Sequence, residues 1–391
     1  MATRRKRFSA GKPAAPTPKA DPVPGAAAPG GRPPRARPAP PAPPRAKPAA
    51  PAIPGARPAP DVVRREEQQR PGGVARHVDD SIEYTQGLRI LRKLAEGGMG
   101  TVYLAEQTGT AGFNKTVAMK VIKREWLKDK RALGAFVGEA RLVADLVHAN
   151  ICQVYSLNRH RGQLFIVMEY LHGLGLNKFL AAHKQGGVLP PAEYSAFIAS
   201  RVTRGLQYAH TKKGRDGRPL GVVHRDVTPS NVILDFRGFV KLTDFGIALA
   251  VTSEGLDQPG VVTGKISYMS PEQAAGQAVD YRSDIYSLGL VLYELLTGQR
   301  VYTARTVAEV REQMKKRIRP PHQLNENVPA ELGKICMKAL QYEPLDRFQS
   351  ARDFGNSLEY FMYHDRWGPT NEKLALYLQK VFPDIERDKI V

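Results

Sequence analysis

Three side chains that carry oxygen atoms, Asp226, Asn231 and Asp244, lie within a short stretch of the second half of the chain. Asp226 and Asn231 precede a predicted strand over residues 232–235, and Asp244 opens an Asp-Phe-Gly sequence after it. We therefore expect all three on loops between short strands. Carboxylate and amide oxygens suit Mg²⁺, and Mg²⁺ suits a triphosphate. A carboxylate that does not bind the metal can orient a hydroxyl group or accept its proton.

A glycine-rich turn lies between two predicted strands in the first half of the chain. Its glycines, Gly97, Gly98 and Gly100, let the backbone N–H groups approach phosphates closely. Lys120 ends an apolar strand and needs a counter-charge, for which Glu139 on the following predicted helix is the candidate. Each fragment also has an ordinary interpretation, as a tight turn or as a lysine at the edge of a strand.

The elements that must position these groups change type along the chain. Four strands are predicted at residues 88–94, 101–106, 116–122 and 164–171, and a helix is predicted at 135–146. Beyond about residue 190 helices dominate, and one apolar stripe consists of Ile198, Val202, Leu206 and Ala209. This order, in which strands come first and helices follow, predicts an α+β fold with two lobes. The N-lobe is expected to be small and β-rich, and the C-lobe larger and helical.

The order of these fragments is far more specific than any one of them. The glycine-rich turn, the strand lysine, the helix glutamate, His-Arg-Asp…Asn, Asp-Phe-Gly and the Ser-Pro-Glu-Gln of residues 270–273 follow one another at the expected spacings. In this respect the sequence resembles the eukaryotic-like (Hanks-type) protein kinases, and within them the bacterial serine/threonine kinases. The resemblance covers residues 88–362, about 70% of the chain.

The resemblance implies a serine/threonine protein kinase that transfers the γ-phosphate of ATP to protein hydroxyls, phosphorylates itself and acts in intracellular signalling. It implies that Asp226 orients the acceptor hydroxyl and takes its proton, and that Asn231 and Asp244 hold Mg²⁺. Lys120, itself held by Glu139, is expected to hold the α- and β-phosphates. The implied catalytic set is Asp226, Lys120, Asn231, Thr228 and Lys265.

The implied ATP site combines the glycine-rich turn with an adenine sandwich and a hinge. Val102, Ala118 and Ile233 are expected to enclose the adenine, and Met168 to guard the pocket behind the hinge of residues 169–171. These apolar residues also have an ordinary interpretation as core. The residues implied to bind the nucleotide are Leu94, Ala95, Glu96, Gly97, Gly98, Met99, Gly100, Thr101, Val102, Ala118, Lys120, Glu139, Met168, Glu169, Leu171, Ile233 and Asp244.

The sequence departs from the family pattern at three places. Ala95 replaces the first glycine of the turn, and an 11-residue insert at residues 211–221 is predicted to form a polar, basic surface hairpin. Thr228 stands where serine/threonine kinases carry a lysine, and Lys265 stands where they carry a threonine. Because the family places these two positions side by side near the γ-phosphate, we interpret the change as an exchange. Two independent substitutions are the alternative.

Other residues match structural positions of the family. Glu272 is expected to pair with Arg347, and Asp284 to brace the backbone at His224 and Arg225. A stack that aligns the two lobes is expected from Val143, Val154, His224 and Phe245.

Composition separates the N-terminal part of the chain from the rest. The 391 residues carry a formal charge of +20, and the first 60 residues hold 18 of the 31 prolines and 12 Lys and Arg against one acid. A segment so poor in apolar side chains cannot form a core. We therefore predict a disordered tail at 1–82, a kinase domain at 88–362 (N-lobe 88–168, C-lobe 172–362) and a helical extension at 366–391.

Partners and location follow from the same composition. No run of 18 apolar residues and no secretory signal is present, and the two cysteines favour buried thiols in a reducing compartment. We therefore expect a cytoplasmic protein with protein substrates, no membrane span, and no nucleic acid partner. The tail is either a solvated spacer or a docking segment for a partner. A pseudokinase-like nucleotide-binding scaffold and a small-molecule phosphotransferase are the alternative functions.

Overall fold

The computed structural model describes residues 84–85, 87–98, 100–127, 133–134, 137, 140, 143–214, 216–245, 265–364 and 368–383. The predicted tail, Met99, Glu139 and the segment 246–264 lie outside the described residues. The predictions made for them are therefore not examined by this structure.

An antiparallel sheet of six strands forms the N-lobe. Its order is β1-β2-β3-β4-β6-β5. The strands are β1 (Tyr84–Thr85), β2 (Leu88–Glu96), β3 (Gly100–Thr108), β4 (Asn114–Ile122), β5 (Val154–His160) and β6 (Gln163–Glu169). The four strands predicted here are confirmed, except that β6 ends at Glu169, two residues before the predicted end. The structure adds β1 and β5, which the sequence analysis did not predict.

Side-chain alternation explains why these segments form a sheet. Ala105, Val117, Met119, Phe165 and Val167 pack into one small core on one face of the sheet. The intervening residues of β4, including Ala118 and Lys120, point to the opposite face. The described residues between 133 and 144 are helical, as predicted, and Ala140 and Val143 are buried.

Eight helices among the described residues build the C-lobe and its extension. They are α1 (Leu176–Gln185), α2 (Ala192–His210), α3 (Pro271–Ala275), α4 (Tyr281–Thr297), α5 (Val307–Met314), α6 (Ala330–Ala339), α7 (Ala351–Tyr363) and α8 (Asn371–Val381). A small sheet of β7 (Gly173–Gly175), β8 (Val232–Asp235) and β9 (Val240–Leu242) lies beside them. None of the helices in the described part of the chain is long and apolar enough to cross a membrane.

The helix α4 is buried along almost its whole length, since 15 of its residues lack significant exposure. The carboxylate of Asp280 caps its first turn by accepting the N–H of Arg282. Gly298 ends it in a left-handed conformation with φ of +68°, which glycine adopts without strain. This central helix therefore offers a rigid platform for the loops that lie on it.

The helix α8 packs on the C-lobe. The hydroxyl of Thr370 caps it by accepting the N–H of Lys373, and Leu374 and Leu378 are fully buried. Tyr377 stacks on Tyr194 of α2 with ring centroids 4.6 Å apart, and its hydroxyl lies 2.7 Å from Nε2 of His183 on α1.

The insert after α2 forms the predicted hairpin. An isolated β-bridge joins Lys213 and Pro219, and the N–H of Gly214 donates to the carbonyl of Arg218 at 2.8 Å. Gly217 turns the chain with φ of +77°, as the Asp-Gly pair at 216–217 predicts.

Candidate active site

The loop between α2 and β8 carries the predicted base and one predicted metal ligand. Asp226 is nearly buried, and the 3₁₀ turn Pro229–Asn231 brings Asn231 back toward it. The amide Nδ2 of Asn231 donates to the backbone carbonyl of Asp226 and to its Oδ2, both at 2.8 Å. Because the amide nitrogen is used twice in this way, the amide oxygen of Asn231 is the end left for a ligand.

The buried carboxylate of Asp284, in the first turn of α4, holds this loop in place. It accepts the N–H of His224 at 2.8 Å and the N–H of Arg225 at 2.7 Å, which confirms the predicted brace. Its Oδ2 also lies 2.8 Å from Nε2 of His210 at the end of α2. Arg225 has a φ of +64°, an unfavourable conformation for a side chain of this size. The fixed carboxylate therefore offsets backbone strain directly before Asp226.

His224 itself is a neutral linker between two loops. Burial lowers the pKa of the imidazole below its ordinary value, although Asp284 and Asp226 act in the opposite direction. The neutral ring donates from Nε2 to the carbonyl of Thr243 at 2.9 Å and accepts the N–H of Asp226 at Nδ1 at 3.2 Å. Phe245 lies against the ring with centroids 4.5 Å apart. The catalytic loop is thereby connected to the loop that carries Asp244.

Lys120 and Asp244 meet across the cleft between the lobes. Nζ of Lys120 lies 2.6 Å from Oδ1 of Asp244, and the lysine side chain is 12% exposed whereas the carboxylate is 40% exposed. Desolvation raises the pKa of Asp244, but the charge and hydrogen bond of Lys120, followed by the charge of Lys265, outweigh it and lower the pKa overall. The carboxylate is therefore ionised at neutral pH, as a metal ligand must be. The predicted pairing of Lys120 with Glu139 stays a prediction.

Lys265 lies immediately before the 3₁₀ turn Ile266–Tyr268, which is buried against the C-lobe. Its ammonium donates to Oδ2 of Asp226, although the two residues are 39 positions apart in the sequence. The hydroxyl of Thr228 instead lies 2.9 Å from the hydroxyl of Ser230. Among the described residues no hydrogen bond joins Thr228 to Lys265, and the predicted exchange of their roles stays a prediction.

The glycine-rich turn between β2 and β3 is closed by a hydrogen bond from the N–H of Gly97 to the carbonyl of Gly100 at 2.9 Å. Gly100 cannot be replaced without a shift, because a Cβ atom there would lie 2.2 Å from the carbonyl oxygen of Val121 on β4. The register of β3 and β4 places Val102 opposite Lys120 and Leu104 opposite Ala118. The turn is therefore fixed directly beside the predicted phosphate-binding lysine.

The hinge follows β6, where Met168 pairs with Ala118 and the partly buried Glu169 ends the strand. The carboxylate of Glu169 accepts Nζ of Lys241 from β9 at 2.7 Å and the N–H of Gln153 at 3.2 Å. The buried thiol of Cys152 contacts the carbonyl of Glu169 at 3.6 Å. These contacts fix the backbone at Glu169, the first residue of the predicted hinge.

Both cysteines match the predicted structural role. Cys152 and Cys336 are free and buried, and burial raises the pKa of each thiol far above its ordinary value. Such thiols are unreactive because the thiolate is the nucleophilic form.

The predicted pair of Glu272 and Arg347 is confirmed. Arg347 is fully buried and holds the carboxylate of Glu272 with two hydrogen bonds of 2.8 Å. Burial raises the pKa of Glu272, but the hydrogen bonds from Arg347 and Ser283 outweigh it and lower the pKa overall. The four residues predicted to align the lobes are all buried: Val143, Val154, His224 and Phe245.

Several residues that position the site were not found from the sequence. Nε2 of Gln273 on α3 donates to the carbonyl of Arg225 at 2.8 Å and so ties α3 to the loop that carries Asp226. Lys241 was also missed, although a lone lysine between Val240 and Leu242 on a short strand is a signal that a buried partner exists. Its partner Glu169 is 72 residues away, and sequence spacing gives no means to pair them.

Comparison with known proteins agrees with the geometry. A model of the protein kinase domain matches residues 88–357. The chain is 38% identical to the tyrosine-protein kinase MasK of Myxococcus xanthus, over 77% of this chain and 47% of the relative. It is 32% identical to the serine/threonine-protein kinase PrkC of Bacillus subtilis, over 73% of this chain and 41% of the relative. The solved kinase domain of Mycobacterium tuberculosis PknI superposes with a TM-score of 0.55 at 29% identity, over 72% of this chain and 99% of that domain.

The fold and the family match together define a protein kinase domain with a β-rich N-lobe and a helical C-lobe. Because the family model matches more than half of the chain, this protein belongs to the protein kinase family. The chain spans less than half the length of the two curated relatives described above.

Proposed function

We propose that the chain is an ATP-dependent serine/threonine protein kinase that phosphorylates protein hydroxyls. The observation that carries the proposal is the convergence of Asp226, Asn231, Lys120 and Asp244, which come from both lobes, on one cleft. In a kinase the chemistry is mostly positioning and charge neutralisation, so a convergent set of this kind is what catalysis requires.

Asp226 is the proposed base. Its Oδ2 accepts hydrogen bonds from Lys265 and Asn231, whereas Oδ1 has no hydrogen bond within the described residues. The free Oδ1 is thus available to accept the proton of an incoming hydroxyl, and the two donors on Oδ2 hold the carboxylate in one orientation. A fixed base of this kind favours attack from a single direction.

The residues at the metal position fit Mg²⁺. The amide oxygen of Asn231 and the ionised carboxylate of Asp244 are hard oxygen ligands, and such ligands suit this ion. Asn231 and Asp244 would hold it, and the bound ion would neutralise charge on the phosphates. Lys120, which contacts Asp244 in this structure, would hold the α- and β-phosphates of a bound ATP. The backbone of Gly97 and Gly100 would lie close to these phosphates.

Lys265 is proposed as a catalytic residue together with Thr228. In the described structure its ammonium lies at the Asp226 carboxylate, where the acceptor hydroxyl and the γ-phosphate must meet. The side chain is 40% exposed, so it can turn from Asp226 toward a phosphate without disturbing packed residues.

Arg225 supports control by phosphorylation of segment 246–264. Its buried Nε has no hydrogen-bond partner within the described part of the chain. A phosphorylated side chain from the segment would supply one, because arginine binds phosphate strongly. The segment lies outside the described residues, and the acceptors that its sequence offers are Thr252, Ser253 and Thr263.

Tyrosine phosphorylation is the second candidate, because one relative at 38% identity is named a tyrosine-protein kinase. We favour serine and threonine because other relatives, among them PrkC of Bacillus subtilis, are named serine/threonine-protein kinases. We propose a cytoplasmic location, where ATP is present and buried thiols stay reduced. Protein partners for the basic tail are part of the same proposal.

The test is transfer of labelled phosphate from ATP and Mg²⁺ to myelin basic protein by the purified chain, followed by acid hydrolysis to phosphoamino acids. Phosphoserine and phosphothreonine are the expected products, and the matched variant Asp226→Asn should yield neither. Phosphotyrosine as the main product would establish the second candidate. ATP binding without any transfer would instead support a nucleotide-binding scaffold.

A further inference from the structure

The hairpin at residues 211–221 has no part in the proposed chemistry. Its sequence carries four basic residues and one acid. Lys213 and Arg218 are exposed, and the Arg218 side chain retains 88% of its accessibility. Asp216 lies 3.8 Å from Arg218 and neutralises only part of this charge. Among the described residues no carboxylate lies within ion-pair distance of Lys212 or Lys213.

Tyr208, on the last turn of α2, joins this hairpin to the loop that precedes β5. Its hydroxyl accepts Nζ of Lys212 at 3.0 Å and the backbone N–H of Val147 at 3.4 Å. Its ring stacks on His148 with centroids 5.1 Å apart. We define the basic hairpin surface as Lys212, Lys213, Arg218, Val147 and His148, with Tyr208 beneath them.

The surface combines positive charge with an apolar contact point. Val147 is 68% exposed and therefore offers an apolar contact beside the basic side chains. Burial and the nearby charges of Arg204 and Lys241 lower the pKa of His148, so the local field is positive even with a neutral imidazole. A partner that fits must therefore supply several negative charges and an apolar side chain at one edge.

We propose that the basic hairpin surface docks an acidic segment of protein substrates. An extended peptide with carboxylates would satisfy Lys212, Lys213 and Arg218, and an apolar residue in it would cover Val147. Nucleic acid supplies negative charge but has no aliphatic side chain for Val147, so a protein segment fits better. The hairpin is held by its own backbone hydrogen bonds, so binding would not require it to fold first. This inference rests on the proposed kinase function.

The test uses the full chain with two acceptors, dephosphorylated casein, which is acidic, and a short neutral peptide. The variant Lys212→Glu/Lys213→Glu/Arg218→Glu should raise KM for casein about tenfold, because three attractions become repulsions. Its kcat, its KM for ATP and its kinetics with the neutral peptide should stay at the wild-type values. The basic N-terminal tail could also attract casein, but it is the same in every variant. A difference in KM between two variants therefore comes from the substituted residues.

A matched control reverses three charges elsewhere on the C-lobe surface. Lys315, Lys316 and Arg317 are exposed, and Lys315→Glu/Lys316→Glu/Arg317→Glu makes the same change in net charge. Equal KM increases for casein in both triple variants would show that casein is attracted by the overall positive charge and not by the hairpin. That result would overturn the proposal. An unchanged KM in the hairpin variant would overturn it as well.

Two further readouts separate the possible failures. Carbodiimide coupling of a glutamate peptide to the wild-type chain should label Lys212 and Lys213, and absence of that label would count against docking even if catalysis were lost. A single-stranded oligonucleotide that competes with casein better than the glutamate peptide does would assign the surface to nucleic acid instead. Failure to phosphorylate the neutral peptide would contradict the kinase function and not the docking surface.

Discussion

Exchange of Thr228 and Lys265 offers the most discriminating test of the proposed active site. The ammonium of Lys265 contacts Asp226 directly, and because Asp226 is 8% exposed whereas the Lys265 side chain is 40% exposed, water screens that contact only in part. Lys265→Thr removes the ammonium and should lower kcat about 10²- to 10³-fold, as loss of one charge contact to a transition state does. Thr228→Lys alone adds a second ammonium at the same carboxylate.

Electrostatics gives the expected loss of activity in the Thr228→Lys variant. Two ammonium groups sharing one carboxylate would lie about 4 Å apart, and their repulsion at an effective dielectric constant of 20 is about 4 kcal/mol. Attraction to Asp226 and rotation of the exposed Lys265 chain relieve most of it, so we expect a loss of about tenfold in kcat/KM. The double variant restores one lysine and one threonine and should come within about tenfold of the wild type.

The assay is kcat/KM for one peptide measured with all four proteins. Independent effects would make the double variant about 10³- to 10⁴-fold slower than the wild type, whereas coupling should recover at least about 10²-fold, or about 2.8 kcal/mol. Thermal unfolding of each protein serves as the control for folding. A double variant as slow as the product of the single losses would refute the coupling, and a fully active Lys265→Thr protein would refute the role of Lys265.

Four other regions give separate predictions. Lys120→Met should lower kcat about 10³-fold with little change in melting temperature, because it removes a phosphate contact from a partly open cleft; steady-state kinetics would show this. Arg347→Met should destabilise the fold by about 3–5 kcal/mol, because it leaves the Glu272 carboxylate buried without its partner; urea unfolding measures this. Since the pKa of Glu272 is lowered in the folded state, its contribution in the wild type is present at neutral pH and should be lost as pH falls below its ordinary value of 4.5. Active enzyme should carry phosphate within residues 246–264 by mass spectrometry, and its absence there would contradict the role of Arg225. Deletion of residues 1–80 should leave kcat for a short peptide unchanged, and a large change would make the tail regulatory.

The sequence was sufficient for the fold class and for most of the site. Motifs in a fixed order identify the family, and strand alternation and caps such as Thr370 are local properties of neighbouring residues. The brace by Asp284 and the pair of Glu272 and Arg347 were also predicted, although their partners are 59 to 75 residues apart. Those two came from family resemblance, since spacing alone does not pair residues so far apart.

Only the tertiary structure decided which partners the long flexible side chains take. Lys265 contacts Asp226 and not Thr228, Lys120 contacts Asp244, and Lys241 contacts Glu169. Each contact depends on how two separate elements are placed against each other, and on a rotamer choice among many for a lysine with four side-chain torsions. The sequence determines which residues can carry charge near the cleft. The distances between those charges are set only when the lobes pack against each other. Ion-pair energies depend on these distances and on burial, so they could not be predicted from the sequence.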